Sequence, residues 1–325
     1  MKRFSLMLIC GLSLGLPAAA EVDRAAFIKL ASSVLKIESL RVQGGYSLGS
    51  GVVVGAQQVV TSCHVTRDAR EVFVIHTGVR WRVRAQAGDL DHDLCVLRVP
   101  GLEAAPVELS SARTLRLGQS VNALGYTGGI GIQNSPGEVL ALHRLDGANV
   151  IQSSNWFSSG ASGGGLFDDD MKLVGVLTFR LRGGTADYYS APVDWLQPLL
   201  NATDREKPVA PLGADPLAFW QRPVEQQPLF LRAAVFRRDE NWAALKTIAS
   251  TWMRADRRDP EPWLLTAVAF ENQSRWPEAR RALECSLALE PGYAPAMAEL
   301  AQLEKRQATT TASEPLAAPC APTDP

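Results

Sequence analysis

Three short runs of the 325-residue chain carry reactive side chains in a fixed order: Thr61-Ser62-Cys63-His64-Val65, Asp93-Leu94-Cys95-Val96-Leu97 and Gly160-Ala161-Ser162-Gly163-Gly164. A serine hydroxyl is a weak nucleophile. It becomes effective when a histidine takes its proton and a carboxylate holds that histidine in one tautomer. Ser162 is the candidate nucleophile, His64 the candidate general base and then acid, and Asp93 the candidate orienting carboxylate. Asp89 and Asp91 are nearby rivals. Asp93 is preferred because the apolar run from Leu94 begins directly after it, which places it at a buried strand end. The glycines around Ser162 allow a tight turn that aims the N–H groups of Gly160 and Ser162 at one point, the arrangement of an oxyanion hole. His76, His92 and His143 lack such a context.

The order of the three residues separates the folds that use this chemistry. Gly160 to Gly164 also fits the G-x-S-x-G elbow of α/β-hydrolases, but that fold needs a histidine after the serine, and all four histidines precede Ser162. An order with the aspartate first has only Asp23 to offer. The order His, Asp, Ser is that of the chymotrypsin-type double β-barrel. Gly49 to Val54, Val59 to Val65, Asp93 to Val99 and Gly160 to Phe167 together resemble trypsin-like serine proteases of the bacterial high-temperature-requirement, or Deg-type, branch. The resemblance implies peptide-bond hydrolysis through an acyl-enzyme, a polypeptide substrate, and neither cofactor nor metal. By motif alignment it puts Trp156 at the base of the specificity pocket, with Thr178, Phe179 and Arg180 along one wall and Tyr188, Tyr189, Ser190 and Ala191 along the other. With no acid at the base, a small or medium apolar side chain is expected rather than Lys or Arg. The chain departs from the family at Ala161, where Asn or Asp is usual, and at Gly165, where Pro is usual. Those departures, with Trp156 and Tyr188 as residues able to close the pocket, motivate an alternative: a catalytically silent scaffold.

Composition sets the surroundings. Hydrophobic residues at 46% and charged residues at 21% are those of a soluble globular protein. Residues 1–20 read as a secretory signal peptide: Lys2 and Arg3, an apolar core from Phe4 to Leu16, and Ala18-Ala19-Ala20 as cleavage site. The core is too short to span a bilayer, which takes about 20 apolar residues. Ile9 argues against a lipoprotein reading through Cys10. The expected location is periplasmic or secreted, with no membrane insertion after cleavage. The net charge of −1 becomes −3 once Lys2 and Arg3 are removed, so nucleic acid is not an expected partner. In an oxidising compartment Cys63 and Cys95 come within disulfide range if His64 and Asp93 are hydrogen-bonded; the alternative is two small buried thiols. Cys320 has no evident partner, and no C-x-x-C run suggests a metal.

Residues 46–61, 94–99, 139–142 and 173–179 read as strands. The protease domain is read as 21–200, and 201–225, with Pro208 and Pro211, as a linker. From 226 to 306 the periodicity becomes helical and repeats at a spacing of 34. Leu229 pairs with Trp263, Ala233 with Ala267, Phe236 with Phe270, and Trp242 with Trp276. This resembles tetratricopeptide repeats. The tail, 307–325, reads as disordered. The expected fold is therefore multidomain, an all-β double β-barrel followed by an all-α repeat domain. The repeats are expected to hold a protein partner, and the arginines at 232, 237, 238, 254, 257 and 258 hint at an acidic segment.

Overall fold

The computed structural model describes residues 24–181, 187–201, 205–307 and Cys320. The signal peptide and nearly all of the tail read from sequence lie outside the described residues. The strands are β1 Val34–Arg41, β2 Tyr46–Gly55, β3 Gln58–Ser62, β4 Ala69–His76, β5 Val79–Arg82, β6 Ala85–Asp89, β7 Leu94–Arg98, β8 Ser120–Gly125, β9 Gln133–Leu145, β10 Ala148–Ser153, β11 Gly165–Phe167, β12 Leu173–Leu181, β13 Asp187–Pro192 and β14 Lys207–Pro208. The helices are α1 Arg24–Ser32, α2 Cys63–Thr66, α3 Gln197–Leu200, α4 Leu229–Arg238, α5 Trp242–Ala255, α6 Glu261–Glu271, α7 Trp276–Leu289 and α8 Ala294–Gln307.

Two barrels were the expectation, and the hydrogen-bond ladder closes in one. Strands β8 to β13 form a closed barrel in the order β10-β13-β12-β11-β8-β9. The first unit is an eight-stranded sheet in the order β14-β6-β7-β3-β2-β1-β4-β5. It is rolled rather than flat. Two residues carry the chain from β5 at one edge to β6, next to the other edge, and their amides bind across the gap: Val83 N–H to the Val72 carbonyl of β4 and Arg84 N–H to the Arg98 carbonyl of β7, each at 2.9 Å. Leu35, Ile37, Val53, Val59, Val74 and Leu97 fill its interior.

Strand β12 is buried along seven successive residues, Leu173 to Phe179. An antiparallel strand with one wet face would alternate. Here the inner face meets the barrel core through Val174 and Leu177, while Val176 and Phe179 join a core shared with Phe219, Phe230, Leu231, Leu245 and Trp252. The helical region is thus fused to the second barrel through an apolar interface. Helices α4 to α8 pack each against the next. Trp242 and Trp276, 34 residues apart, each begin the second helix of a hairpin. Ala233 and Ala267 are fully buried, the small residues that let neighbouring helices approach.

The stretch read as a linker lies along the first sheet. Lys207 and Pro208 pair with β6, Gln86 donates to the Ala210 carbonyl at 2.9 Å, and the Arg67 guanidinium donates to the carbonyls of Gly213, Ala214 and Pro216. Cys320 also has a partner that its spacing did not reveal, for it is disulfide-bonded to Cys285 of α7 across a Cα separation of 5.6 Å. Pairing depends on that proximity, which the fold and not the spacing supplies.

Candidate active site

Strand β3 ends at Ser62 and turns directly into the short helix α2, which presents His64 in its first turn. Strand β7 runs antiparallel to β3, with Thr61 opposite Cys95 and Ser62 opposite Leu94. The register brings the residue just before β7 beside the residue just after β3, and these are Asp93 and Cys63. The Cys63 N–H donates to the Asp93 carbonyl at 3.0 Å, and Cys63 is disulfide-bonded to Cys95. Gly88 leaves room for the bridge, since a Cβ there would stand 3.1 Å from one sulfur and 3.3 Å from the other. Asp93 sits at φ 60°, in the left-handed region that Asp tolerates better than most residues.

Asp93 is fully buried. Its Oδ1 accepts the His64 backbone N–H at 2.8 Å, and its Oδ2 lies 2.6 Å from His64 Nδ1. A buried carboxylate against Nδ1 favours a proton on that nitrogen and leaves Nε2 as the basic atom. The rivals are engaged elsewhere: Asp89 pairs with His92 at 2.7 Å and Asp91 with Arg222. His92 also meets Asp146 at 3.1 Å and stacks on Trp195. Burial works against its charged form, but the two carboxylates raise its pKa above the ordinary value. Asp91, His92 and Asp146 present atoms close enough to hold a metal ion. Their ion-pair network already satisfies both ring nitrogens.

His64 and Ser162 line one open cleft of about 440 Å³, together with Arg41, Tyr46, Ser47, Leu48, Val65, Gly128, Ser159 and Gly160. The Ser162 hydroxyl is turned toward the Thr178 carbonyl at 3.4 Å. A hydrogen bond between a nucleophile and its base is commonly long until substrate binds. The glycines permit the turn: Gly160 has φ +95°, and a Cβ there would lie 2.5 Å from the Tyr126 carbonyl oxygen; Gly163 has φ +86°, and its Cβ would lie 2.2 Å from the Ser50 carbonyl oxygen. Among the described residues, no acceptor takes the N–H of Gly160 or of Ser162, whereas the neighbouring N–H groups of Ala161, Gly163 and Gly164 are all bonded.

Ser50 fastens this turn, and sequence reasoning missed it. Its hydroxyl donates to the Gly160 carbonyl at 2.7 Å and accepts the Tyr126 N–H at 2.8 Å. Its N–H donates to the Ser162 carbonyl at 2.8 Å, and its own carbonyl accepts from Thr61 Oγ1 at 2.7 Å. One buried residue of the first sheet therefore fixes the serine loop of the second barrel. Trp220 was missed as well. Its indole Nε1–H donates to Asp93 Oδ2 at 3.3 Å, and its ring stands edge-on to His64 at 5.6 Å.

Among the described residues, the eight aligned to a specificity pocket have their side chains turned to different surroundings. Trp156 is 52% exposed and borders a separate cleft of about 390 Å³ with Phe157, Ala161 and Leu177. Tyr188 packs on Phe157 inside the barrel, while Tyr189 stacks on Phe179 outside it. Thr178, Ser190 and Ala191 are buried, and Arg180 is partly exposed. Within β12 and β13 the pleat separates neighbours, since successive side chains of a strand point to opposite faces.

Residues 49–176 match the trypsin-like peptidase domain. Among curated proteins, a probable periplasmic serine endoprotease DegP-like of Halomonas elongata is 28% identical over 157 residues, covering 46% of this chain and 33% of that protein. The serine endoprotease DegS of Haemophilus influenzae is 26% identical over 196 residues, covering 58% and 56%. The chain thus spans from a third to just over half of these relatives. The crystal structure of the Rv3671c protease from M. tuberculosis, in its active form, superposes with a TM-score of 0.54 at 23% identity, over 66% of this chain and 99% of that one. That likeness establishes the shared fold.

Proposed function

We propose that the protein is an exported serine endopeptidase acting through Ser162, His64 and Asp93. The observation that carries the reading is the fully buried Asp93 held by both the ring and the backbone of His64, with Ser162 across the same cleft. His64 Nε2 takes the Ser162 hydroxyl proton as Oγ bonds to the scissile carbonyl carbon. The carbonyl π electrons move to its oxygen, where the N–H groups of Gly160 and Ser162 donate to the developing charge. The proton passes from His64 to the leaving nitrogen, the C–N bond breaks, and an acyl-enzyme remains. Water then repeats the sequence through the same histidine and frees Ser162.

Export follows from the signal-like residues 1–20, and the periplasmic proteases among the relatives support it. The helices from Leu229 to Gln307 are read as tetratricopeptide-like on their 34-residue spacing, and as a platform for a protein partner. The experiment is to treat the full-length protein with a fluorophosphonate probe and with casein, beside Ser162→Ala. Labelling and cleavage by the wild type alone support the reading. A folded wild type that takes no label, or a variant that labels equally, sinks it. The second reading, a silent scaffold, is favoured by one observation, the Ser162 hydroxyl turned to the Thr178 carbonyl; it predicts no labelling at all.

A further inference from the structure

We propose that Trp220 is a working part of the active site: its indole N–H positions the Asp93–His64 pair, and its ring walls one flank of the site so that only a small substrate side chain fits beside His64. The inference rests on the catalytic reading of His64, Asp93 and Ser162.

A buried carboxylate needs donors, or it shifts its proton or its position. Asp93 Oδ1 is held by the His64 backbone. Oδ2 faces His64 Nδ1 and also receives the Trp220 Nε1–H. The indole thus fixes the one oxygen that orients the imidazole, from a position 127 residues along the chain. The ring acts as well. It lies parallel to Phe179 with centroids 5.0 Å apart, and Phe179 lies parallel to Tyr189 at 4.7 Å. This stack ends edge-on against His64.

The strap that delivers Trp220 is anchored on both sides of it. Phe219 is 2% exposed, and its N–H donates to the Asp91 carbonyl at 2.9 Å. Arg222 pairs with Asp91, and the Gln227 amide donates to the carbonyls of Trp220 and Arg222. A side chain supported in this way keeps its rotamer, as a positioning residue must.

A polypeptide lying across Ser162 leaves by two flanks. One is the open cleft bordered by Tyr46, Leu48 and Val65. The other passes Thr178, whose carbonyl faces the Ser162 hydroxyl, and then Phe179, and there the indole lies on the ring. The second residue on the acyl side of the scissile bond meets Trp220 and His64 together. Polypeptides with Gly, Ala or Ser at that position are the class this wall admits.

The test compares full-length wild type, Trp220→Phe, Trp220→Ala and Ser162→Ala. Readouts are fluorophosphonate labelling, kcat and KM for two peptides that differ in Ala or Leu at that second position, and the downfield proton resonance of the His64 Nδ1–H. Trp220→Phe keeps a ring and loses the donor. It should lower kcat about tenfold, the scale of one hydrogen bond to a charged group, shift the resonance, and leave the preference for Ala intact. Trp220→Ala should show the same loss in kcat and accept Leu as well as Ala, narrowing the ratio of kcat/KM about tenfold. Should Trp220→Ala unfold, Trp220→Phe still decides the positioning role through kcat and the resonance. If Ser162→Ala takes no label while both Trp220 variants match wild type, the catalytic reading stands and this inference is overturned. Variants faster than wild type on both peptides overturn it too, by making the indole a plug. A wild type without label defeats the catalytic reading, and this inference with it.

Discussion

Two of the histidine–carboxylate pairs among the described residues, one at the cleft and one at the junction with the helices, differ in how the histidine is used. At the cleft, His64 lies 2.6 Å from Asp93, with its side chain 24% exposed and, among the described residues, only Nδ1 bonded to protein. At the junction of the second barrel and the helices, His143 lies 2.9 Å from Glu261, with its side chain 5% exposed and both nitrogens in use. The Gln152 amide donates to Asp187 at 2.7 Å, so its oxygen is the atom left to accept from His143 Nε2. On the proposed catalytic reading, the same two functional groups make a proton carrier where one nitrogen is open to a cleft, and a fastening where none is. The environment, not the residue pair, decides which.

The largest effect that separates the two pairs is on turnover. Asp93→Asn should cut kcat by about 10⁴-fold, since an amide supports the wrong imidazole tautomer. Glu261→Ala should leave kcat within about twofold, measured with one short peptide at 25 °C. A comparable collapse from both substitutions would show that the junction is coupled to the chemistry and would break the distinction.

Stability should reverse the ranking. Removing Glu261 leaves His143 buried without its carboxylate, a loss of about 3–5 kcal/mol for one partner of a buried pair. Urea unfolding of Glu261→Ala reads this directly, and a midpoint equal to wild type would demote the junction to a surface contact. The catalytic region has its own fastening. The Cys63–Cys95 bridge closes a loop of sequence separation 32, for which chain entropy gives about 3–4 kcal/mol. Replacing both cysteines with Ala should lower stability by that order and lower kcat as well, because the bridge ties the His64 and Asp93 segments. Unchanged kcat would show that the strand register alone holds them.

These two regions were unequally legible in the sequence. His64, Asp93 and Ser162 each carry a local signal, namely a strand leading into the histidine, an apolar run after the aspartate, and glycines about the serine. The structure brings all three to one site. Ser50 and Trp220 carry none. Their partners lie 110 and 127 residues away, and Trp220 stands in a stretch whose prolines read as a linker. The 34-residue spacing located the helix hairpins because each repeat must bury the same face. It was silent on their docking, since His143 and Glu261 are an ordinary histidine and glutamate until the fold sets them together. The pocket residues came from motif alignment, and there the pleat turns neighbours to opposite faces, Tyr188 into the barrel and Tyr189 out of it.

The smallest expected effect is that of pH on the junction, because titration weakens the pair without removing either side chain. Burial alone would lower the pKa of His143, but the Glu261 charge and hydrogen bond, with Gln152 and the charge of Asp259, raise it above the ordinary value. The ring also stacks on Phe230 at 4.3 Å, and Tyr189 packs nearby. A raised histidine pKa stabilises the folded state fully below the unfolded value of about 6.5 and loses that contribution as pH rises through the folded value. Asp259 acts in the same sense. Burial, reinforced by Glu261, raises its pKa to about 6, so ionising it on going from pH 4 toward neutrality also costs stability. Both groups make the junction firmer in mild acid than in mild alkali. His143→Gln keeps a neutral hydrogen-bonding side chain and removes the histidine titration, while Asp259 remains. The difference in Tm between wild type and His143→Gln should therefore be largest near pH 6 and shrink by pH 8.5, with kcat ratios flat across that range. A Tm difference constant from pH 6 to 8.5 would mean that His143 does not act as a charged fastening, and the contrast with His64 would then rest on exposure alone.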